Sequence, residues 1–216
     1  MRTVYAPSHP TIIVGLTAEA RIARPLGWPI AVGGGRFDGA VGAAEQAIRD
    51  GAKALVSFGL AGGLDPGLRP GTVLVPDTVI VEAAAVATDA ALRARLGRGG
   101  AAPILGARDV AATVAVKQSL FTMTGAAAVD LESGAVALTA RRHGVPFAVL
   151  RAICDPADRD LPQAALIALD QGGMIGMGRV LGSVAARPWQ IPALVRLARD
   201  AGTARRALHF AVRNIT

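Results

Sequence analysis

Residues Phe147–Asp160 read FAVLRAICDPADRD. The stretch opens as an apolar strand and closes in a group of carboxylates. Five of its first seven residues are β-formers or Ala, and then come Cys154, Asp155, Pro156, Asp158 and Asp160. A turn accounts for one Asp. It does not account for Arg151 inside the strand with Asp155 directly after it. Gly144 before the stretch stops a helix spanning Glu132–His143, whose last turn holds Arg141, Arg142 and His143, favourable for its dipole. The order is therefore helix, glycine stop, buried strand, acid-rich loop, which is the signature of an α/β unit.

The same alternation recurs upstream. Strands are predicted at Thr11–Val14, Pro29–Val32, Ala54–Phe58, Thr72–Val75 and Thr78–Val81. Helices are predicted at about Gly39–Asp50 and within Ala111–Gly125, and downstream at Pro162–Asp170 and Pro192–Arg213. Gly172-Gly173 and Gly176 loosen the join between the last two, and Gly202 interrupts the last. Residues 83–109, rich in Ala, Arg and Gly, carry no readable assignment. Strands alternating with helices predict an α/β fold: three αβα layers around a central mixed, twisted β-sheet. Ligands in such sheets sit at the C-terminal ends of the strands. Gly33–Arg36, Gly59–Gly63 and Cys154–Asp158 are the three loops expected there.

The bulk properties fit one domain. The 216 residues are 52% apolar and 18% charged, enough for a real core and too apolar for disorder. Aromatics are only 4%, so Ala, Val, Leu and Gly must pack the interior. No linker or internal repeat divides residues 1–216. No segment is apolar for long enough to span a bilayer, and the N-terminus shows no export signal. Cys154 is the only cysteine, which excludes an internal disulfide and suits a reducing cytoplasm. The net charge of +7 is uneven: residues 187–216 hold six Arg against Asp200, +5, leaving +2 for the rest. That basic helical segment is either a solvated surface or a face that meets anions.

Several residues carry potential chemistry. Gly33-Gly34-Gly35-Arg36 lies between a strand and a helix, where backbone can approach a ligand, but it matches neither a Walker loop nor GxGxxG. Gly59–Gly63 is either a ligand loop or a close crossing of backbone under another element. In AVDLESGAVA (Ala128–Ala137) two acids, Asp130 and Glu132, flank Leu131 before a helix. One acid would serve as a cap; the other is free to accept from a pair of hydroxyls. Cys154 is a poor nucleophile, because the acid that follows it raises a thiol pKa. The three His residues have no metal-ligand spacing, so no metal site is expected.

FGLAGGLDPGLRPGTVLVPD (Phe58–Asp77), AVDLESGAVA and GVPFAVLRAICDPAD (Gly144–Asp158) occur in that order. Together they resemble the nucleoside phosphorylase and nucleosidase superfamily, which includes purine nucleoside phosphorylase and methylthioadenosine/S-adenosylhomocysteine nucleosidase. The resemblance covers roughly Thr11–Asp160. VDLES, CDPADRDLP and the Arg-rich ending are most similar to the hopanoid-associated branch, thought to remove adenine from adenosylhopane. The resemblance implies cleavage of the N-glycosidic bond of a 5′-substituted adenosine. It places Asp155 as the acid that protonates adenine N7 and Glu132 at the ribose 2′- and 3′-hydroxyls. Leu131 would pack on the sugar, with Asp130 beside it, and Gly62, Gly63 and Cys154 would lie near the base. Gly34, Gly35 and Arg36 would border the nucleophile. No cofactor is implied, with inorganic phosphate as an alternative co-substrate to water.

The chain departs from the family pattern in informative places. Ala20 stands where the nucleosidases carry a water-activating Glu, and Glu19 is the neighbouring candidate for that catalytic role. Ser57-Phe58 lacks the Arg that phosphorylases bring to phosphate. Water and phosphate both stay open as nucleophile. The segment before AVDLES is short, which would open the 5′ side of the site to a bulky substituent. The partners expected are a small-molecule or lipid-linked nucleoside and a second copy of the chain in a homodimer. On a helical wheel Arg196, Arg199, Arg206 and Arg213 oppose Leu194, Leu197, Leu208 and Val212. That face could hold a cytoplasmic enzyme against an anionic inner-membrane surface. The rival classes are a methylthioadenosine/S-adenosylhomocysteine nucleosidase or purine nucleoside phosphorylase, and a non-catalytic nucleic-acid-binding protein. Scarce aromatics and the absence of a known nucleic-acid module weigh against the last.

Overall fold

The computed structural model describes residues 10–97, 99–170 and 187–215. Within them one mixed sheet is built from β1 (Thr11–Val14), β2 (Ile30–Val32), β3 (Leu55–Gly63), β4 (Val73–Leu74), β5 (Thr78–Val81), β6 (Ala84–Ala87), β7 (Ile104–Gly106), β8 (Ala128–Asp130) and β9 (Phe147–Asp155). The helices are α1 (Thr17–Ala23), α2 (Phe37–Arg49), α3 (Ala90–Leu96), α4 (Val114–Thr124), α5 (Ser133–His143), α6 (Gln163–Asp170) and α7 (Ile191–Arg213). The expected αβα layering around a mixed sheet is present.

Strand β3 is the axis. Its first half lies between β1 and β9, parallel to both. Past the end of β1 its last two residues pair antiparallel with β8, Gly62 opposite Val129 and Gly63 opposite Ala128, while its pairing with β9 runs on to Gly62. From β8 the sheet continues through β7 and β5 to β6. The central strands are apolar on both faces because helices cover both. Ile13, Leu55, Val149 and Ile153 point into a core closed by Ala40, Ala44 and Ala47 of α2 and Val136 and Ala140 of α5. Their neighbours Ile12, Val14, Val56, Leu150 and Ala152 point the other way, against Ile22 of α1 and Ala204, Leu208 and Val212 of α7. The alternation along each strand supplies both cores.

Several expectations are corrected. Gly59–Gly63 is not a loop but the second half of β3, and Cys154 and Asp155 still belong to β9. Gly202 does not interrupt α7, which is continuous over 23 residues. Helix α1, which carries Glu19, was not predicted; its N-cap is Leu16, which carries no capping side chain. The unassigned residues 83–109 contain β6, α3 and β7. The hairpin turn that leads into β6 is made by Glu82 and Ala83, both at positive φ (48° and 63°), without the Gly or Asn that usually marks such turns. Gly172, Gly173 and Gly176 lie outside the described residues. No described helix is long and apolar enough to cross a membrane.

Candidate active site

Arg151 is completely buried in β9, and each of its three guanidinium nitrogens has an acceptor. Nε lies 2.8 Å from Asp130 Oδ2, and Nη2 lies 2.8 Å from Glu132 Oε2. Nη2 also donates to Ser57 Oγ at 2.7 Å, and Nη1 donates to the Leu60 carbonyl at 3.3 Å. Asp130 completes the local scaffold. Its Oδ1 accepts from the backbone amides of Glu132 and Ser133 at 2.9 and 2.7 Å, and its Oδ2 accepts from Ser133 Oγ. Asp130 therefore caps the start of α5 while gripping the guanidinium. Burial opposes the Arg151 charge, but the Asp130, Glu132 and Glu19 carboxylates outweigh it and raise its pKa.

Glu132 is the acid left over from capping. It is 7% exposed. Burial pushes its carboxyl up to about 7; Arg151 opposes this, and Asp130 and Glu19 add to it. With Oε2 on Arg151, the other oxygen faces the loops after β1 and β2. A methyl group on Gly15 would sit 2.4 Å from Glu132 Oε1 and 3.1 Å from Gly35 Cα. Gly34 and Gly35 hold φ of 79° and 74°, a conformation glycine tolerates and side chains do not. The glycine loop, the β1 end and Glu132 are thus brought together, while the neighbouring Arg36 is exposed at the N-cap of α2.

Glu19 is held by the backbone. Its Oε2 accepts from the amides of Gly15 and Leu16 at 3.0 and 2.9 Å, and its Oε1 accepts from Leu60 at 2.9 Å. It thereby ties α1 to both β1 and β3. Gly59 makes room for this: a methyl group there would lie 2.4 Å from Glu19 Oε1 and 2.5 Å from Arg151 Nη1. The close-crossing reading of the glycine run holds at Gly59.

Asp155 stands at the end of β9. The β3–β9 register shifts here: Ala61 faces Ile153, and Gly62 faces Asp155, leaving Cys154 as the extra residue of a bulge. Bulges re-aim side chains beside functional sites. The Asp155 carboxylate comes within 3.7 Å of where a Gly62 methyl would be, and Gly63 lies against the Asp155 backbone. Cys154 packs instead with the apolar cluster that includes Phe58 and Leu208. Burial, with the Asp155 charge behind it, pushes the Cys154 thiol up to about 12, which removes it as a nucleophile. Leu131 is half-buried between Asp130 and Glu132. Beside Asp155 a cleft of about 160 Å³ is lined by Asp155, Arg159, Asp160, Pro162, Arg196 and Asp200, among others.

Lys117 was not anticipated from the sequence. It is fully buried in α4, and its Nζ lies 2.6 Å from Asp155 Oδ2. Nζ also donates to the carbonyls of Pro156 and Arg159 at 2.9 and 2.7 Å. Burial raises the Asp155 pKa, and the pairing with Lys117 opposes that without overcoming it. Asp160 Oδ1 accepts from the Val114 amide at 2.7 Å, and the Leu161 amide donates to the Ala112 carbonyl at 2.8 Å. The acid-rich loop is thus laced to the start of α4. Asp158 stays at the surface beside Arg159. Among the described residues no cluster of His, Cys, Asp or Glu could hold a metal ion.

The architecture has relatives. A family model described as the phosphorylase superfamily matches residues 30–94 and 101–172. Among solved structures, a futalosine hydrolase from Helicobacter pylori is 17% identical with a TM-score of 0.66, covering 95% of this chain and 98% of that one. A 5′-methylthioadenosine/S-adenosylhomocysteine nucleosidase from Neisseria meningitidis is 16% identical with a TM-score of 0.69, covering 95% and 97%. The H. pylori methylthioadenosine nucleosidase, solved as a mutant with 5′-methylthioadenosine in its active site, is 18% identical with a TM-score of 0.67, covering 96% and 99%. No curated protein matches the chain. With the family model covering well over half of its residues, the chain belongs to the phosphorylase superfamily and is an enzyme of glycosidic bond cleavage.

Proposed function

We propose that the protein releases adenine from a 5′-substituted adenosine by breaking the N-glycosidic bond, with adenosylhopane as the preferred substrate. The observation that carries the chemistry is the spacing of two buried acids around Arg151. Asp155 lies four residues further along the same strand, and Glu132 is fixed to its guanidinium. Asp155 is the general acid. Protonating the purine lets it leave as a neutral base, and a positioned acid contributes about 10²–10⁴ in rate. A carboxyl raised by burial keeps its proton nearer neutral pH. Glu132 accepts from the ribose 2′- and 3′-hydroxyls and sets negative charge where the oxocarbenium-like sugar develops positive charge. Leu131 packs on the sugar, and Gly62 and Gly63 border the base.

Glu19 is assigned to holding the turn after β1 against β3, because three backbone amides already bind its carboxylate. The nucleophile, water or phosphate, enters along Gly34-Gly35. The exposed Arg196, Arg199, Arg206 and Arg213 on α7 are the proposed contact with anionic lipid that delivers a lipid-linked substrate. A second reading is cleavage of small soluble nucleosides; it is favoured by the nucleosidases among the structural neighbours. The test is adenine release, followed by chromatography, from adenosylhopane in detergent and from methylthioadenosine, each with and without phosphate. Release from adenosylhopane alone supports the first reading. Release from methylthioadenosine at low concentration supports the second. Phosphate dependence identifies the nucleophile.

A further inference from the structure

The Lys117–Asp155 pair poses a chemical problem. An ammonium 2.6 Å from Asp155 opposes the rise that burial gives its carboxyl and favours the carboxylate, and an ionised carboxylate cannot protonate a leaving group. The three partners of Lys117 Nζ resolve it. Two of them, the Pro156 and Arg159 carbonyls, can only accept; the third, Asp155 Oδ2, can accept or donate. As an ammonium, Lys117 donates to all three. As a neutral amine, it donates to the two carbonyls, and its lone pair accepts from the Asp155 O–H. Every hydrogen bond is satisfied in both arrangements, and only one proton moves. The nitrogen is fully buried, so the neutral arrangement also avoids desolvating an ion pair.

We infer that Lys117 and Asp155 share a single proton, and that Lys117 is the positioning residue that keeps Asp155 supplied with it. The inference rests on the assignment of Asp155 as general acid. In the reaction the Asp155 O–H bond breaks and its proton goes to the purine nitrogen, while the electron pair of the C1′–N bond goes to the purine. The pair is left as amine and carboxylate, one proton short. When water is the nucleophile, the proton it sheds on bonding to C1′ restores the pair; with phosphate, solvent supplies it. Lys117 never contacts the substrate. The other charged groups facing the pair are Arg159 and Asp200, paired with each other at 2.8 Å, together with Asp160, held by the Val114 amide, and Arg196 across the cleft.

The pH profile separates this from a plain ion pair. Adenine release from adenosylhopane or methylthioadenosine, whichever the wild-type protein cleaves, would be followed against pH for Lys117→Met and Lys117→Arg. A shared proton is retained to high pH because the amine stabilises it. Lys117→Met then shifts the falling limb of kcat to lower pH and lowers kcat at pH 8 by at least about tenfold, within the range a general acid spans. Lys117→Arg keeps the charge but cannot release a proton, so kcat falls in that variant too while KM changes little. In a plain ion pair, removing the cation raises the Asp155 pKa. The limb of Lys117→Met then shifts to higher pH and Lys117→Arg keeps full activity; either result overturns the inference. If Lys117→Met fails to fold by circular dichroism, Lys117→Arg decides alone. Asp155→Asn separates the two levels. Its inactivity with an upward limb shift in Lys117→Met sinks only the shared proton. Its full activity, or no release by wild type from either nucleoside, sinks the acid assignment as well.

Discussion

Arg151 Nη2 lies 2.8 Å from Glu132 Oε2, and the guanidinium that makes this contact has no exposure to solvent. One cation thereby serves Asp130 and Glu132 at contact distance, with Glu19 close by. The cluster holds more negative charge than positive, which suits a site that stabilises a cationic sugar.

Replacing that cation strands its partners. Arg151→Met leaves the buried Asp130 and Glu132 without their counter-charge, and breaking one side of a buried pair costs about 3–5 kcal/mol. The expected result is a large fall in the urea midpoint, measured by circular dichroism. A change below about 1 kcal/mol on the same scale would mean that the cluster has other compensation.

Glu132 imposes a pH dependence on stability. Burial pushes its carboxyl up to about 7 in the folded protein, against an ordinary value of about 4.5. Between those values the folded state holds a proton that the unfolded state has lost, so stability falls as pH rises from about 4.5 to 7. Urea unfolding of wild type and Glu132→Gln across that window should show a downward slope in the wild type that flattens in the variant. Parallel slopes would place the buried proton elsewhere.

Gly59 should not tolerate a side chain. In Gly59→Ala the methyl group would press on Glu19 Oε1 and Arg151 Nη1 together, and overpacking of this kind costs about 1–3 kcal/mol. Activity should fall with stability, since both groups frame the site. An unchanged melting temperature would show that the two side chains can move apart.

Asp160 ties the acid-rich loop to α4 through the Val114 amide. Asp160→Ala should cost about 1 kcal/mol, as for a lost helix cap. Because the same loop supplies the Arg159 carbonyl to Lys117, adenine release should weaken more than that loss of stability explains. Full activity in a measurably destabilised Asp160→Ala protein would detach the loop from the chemistry.

The strand that ends in acid was legible because its residues state both burial and charge, an Arg amid apolar neighbours with carboxylates directly after it; the carboxylates that Arg151 meets, Asp130 and Glu132, lie outside that stretch. The division of labour before α5 was legible too, since one acid suffices as a cap. Lys117 was not. In VAVKQSL it reads as a surface charge, and its burial comes from the loop at 156–161 closing over α4, a long-range contact. Glu19 was noticed only as the neighbour of Ala20, which holds the family position, and its three amide partners depend on α1, whose start carries no capping side chain. The glycine run was read as a loop because glycine weakens strands; in β3 it remains a strand so that Glu19 and Arg151 can pass beside it. The β5–β6 hairpin was invisible because Glu82 and Ala83 are not turn-forming residues.

The most direct test of Asp155 as the acid compares two leaving groups. Wild type and Asp155→Asn would be assayed on an adenosine nucleoside, whose base must be protonated to leave, and on 4-nitrophenyl β-D-riboside, whose phenolate leaves without help. Asp155→Asn is expected to lose about 10²–10⁴ in kcat on the nucleoside and little on the nitrophenyl riboside. Equal losses on both substrates, or a nucleoside rate unchanged from wild type, would contradict the assignment.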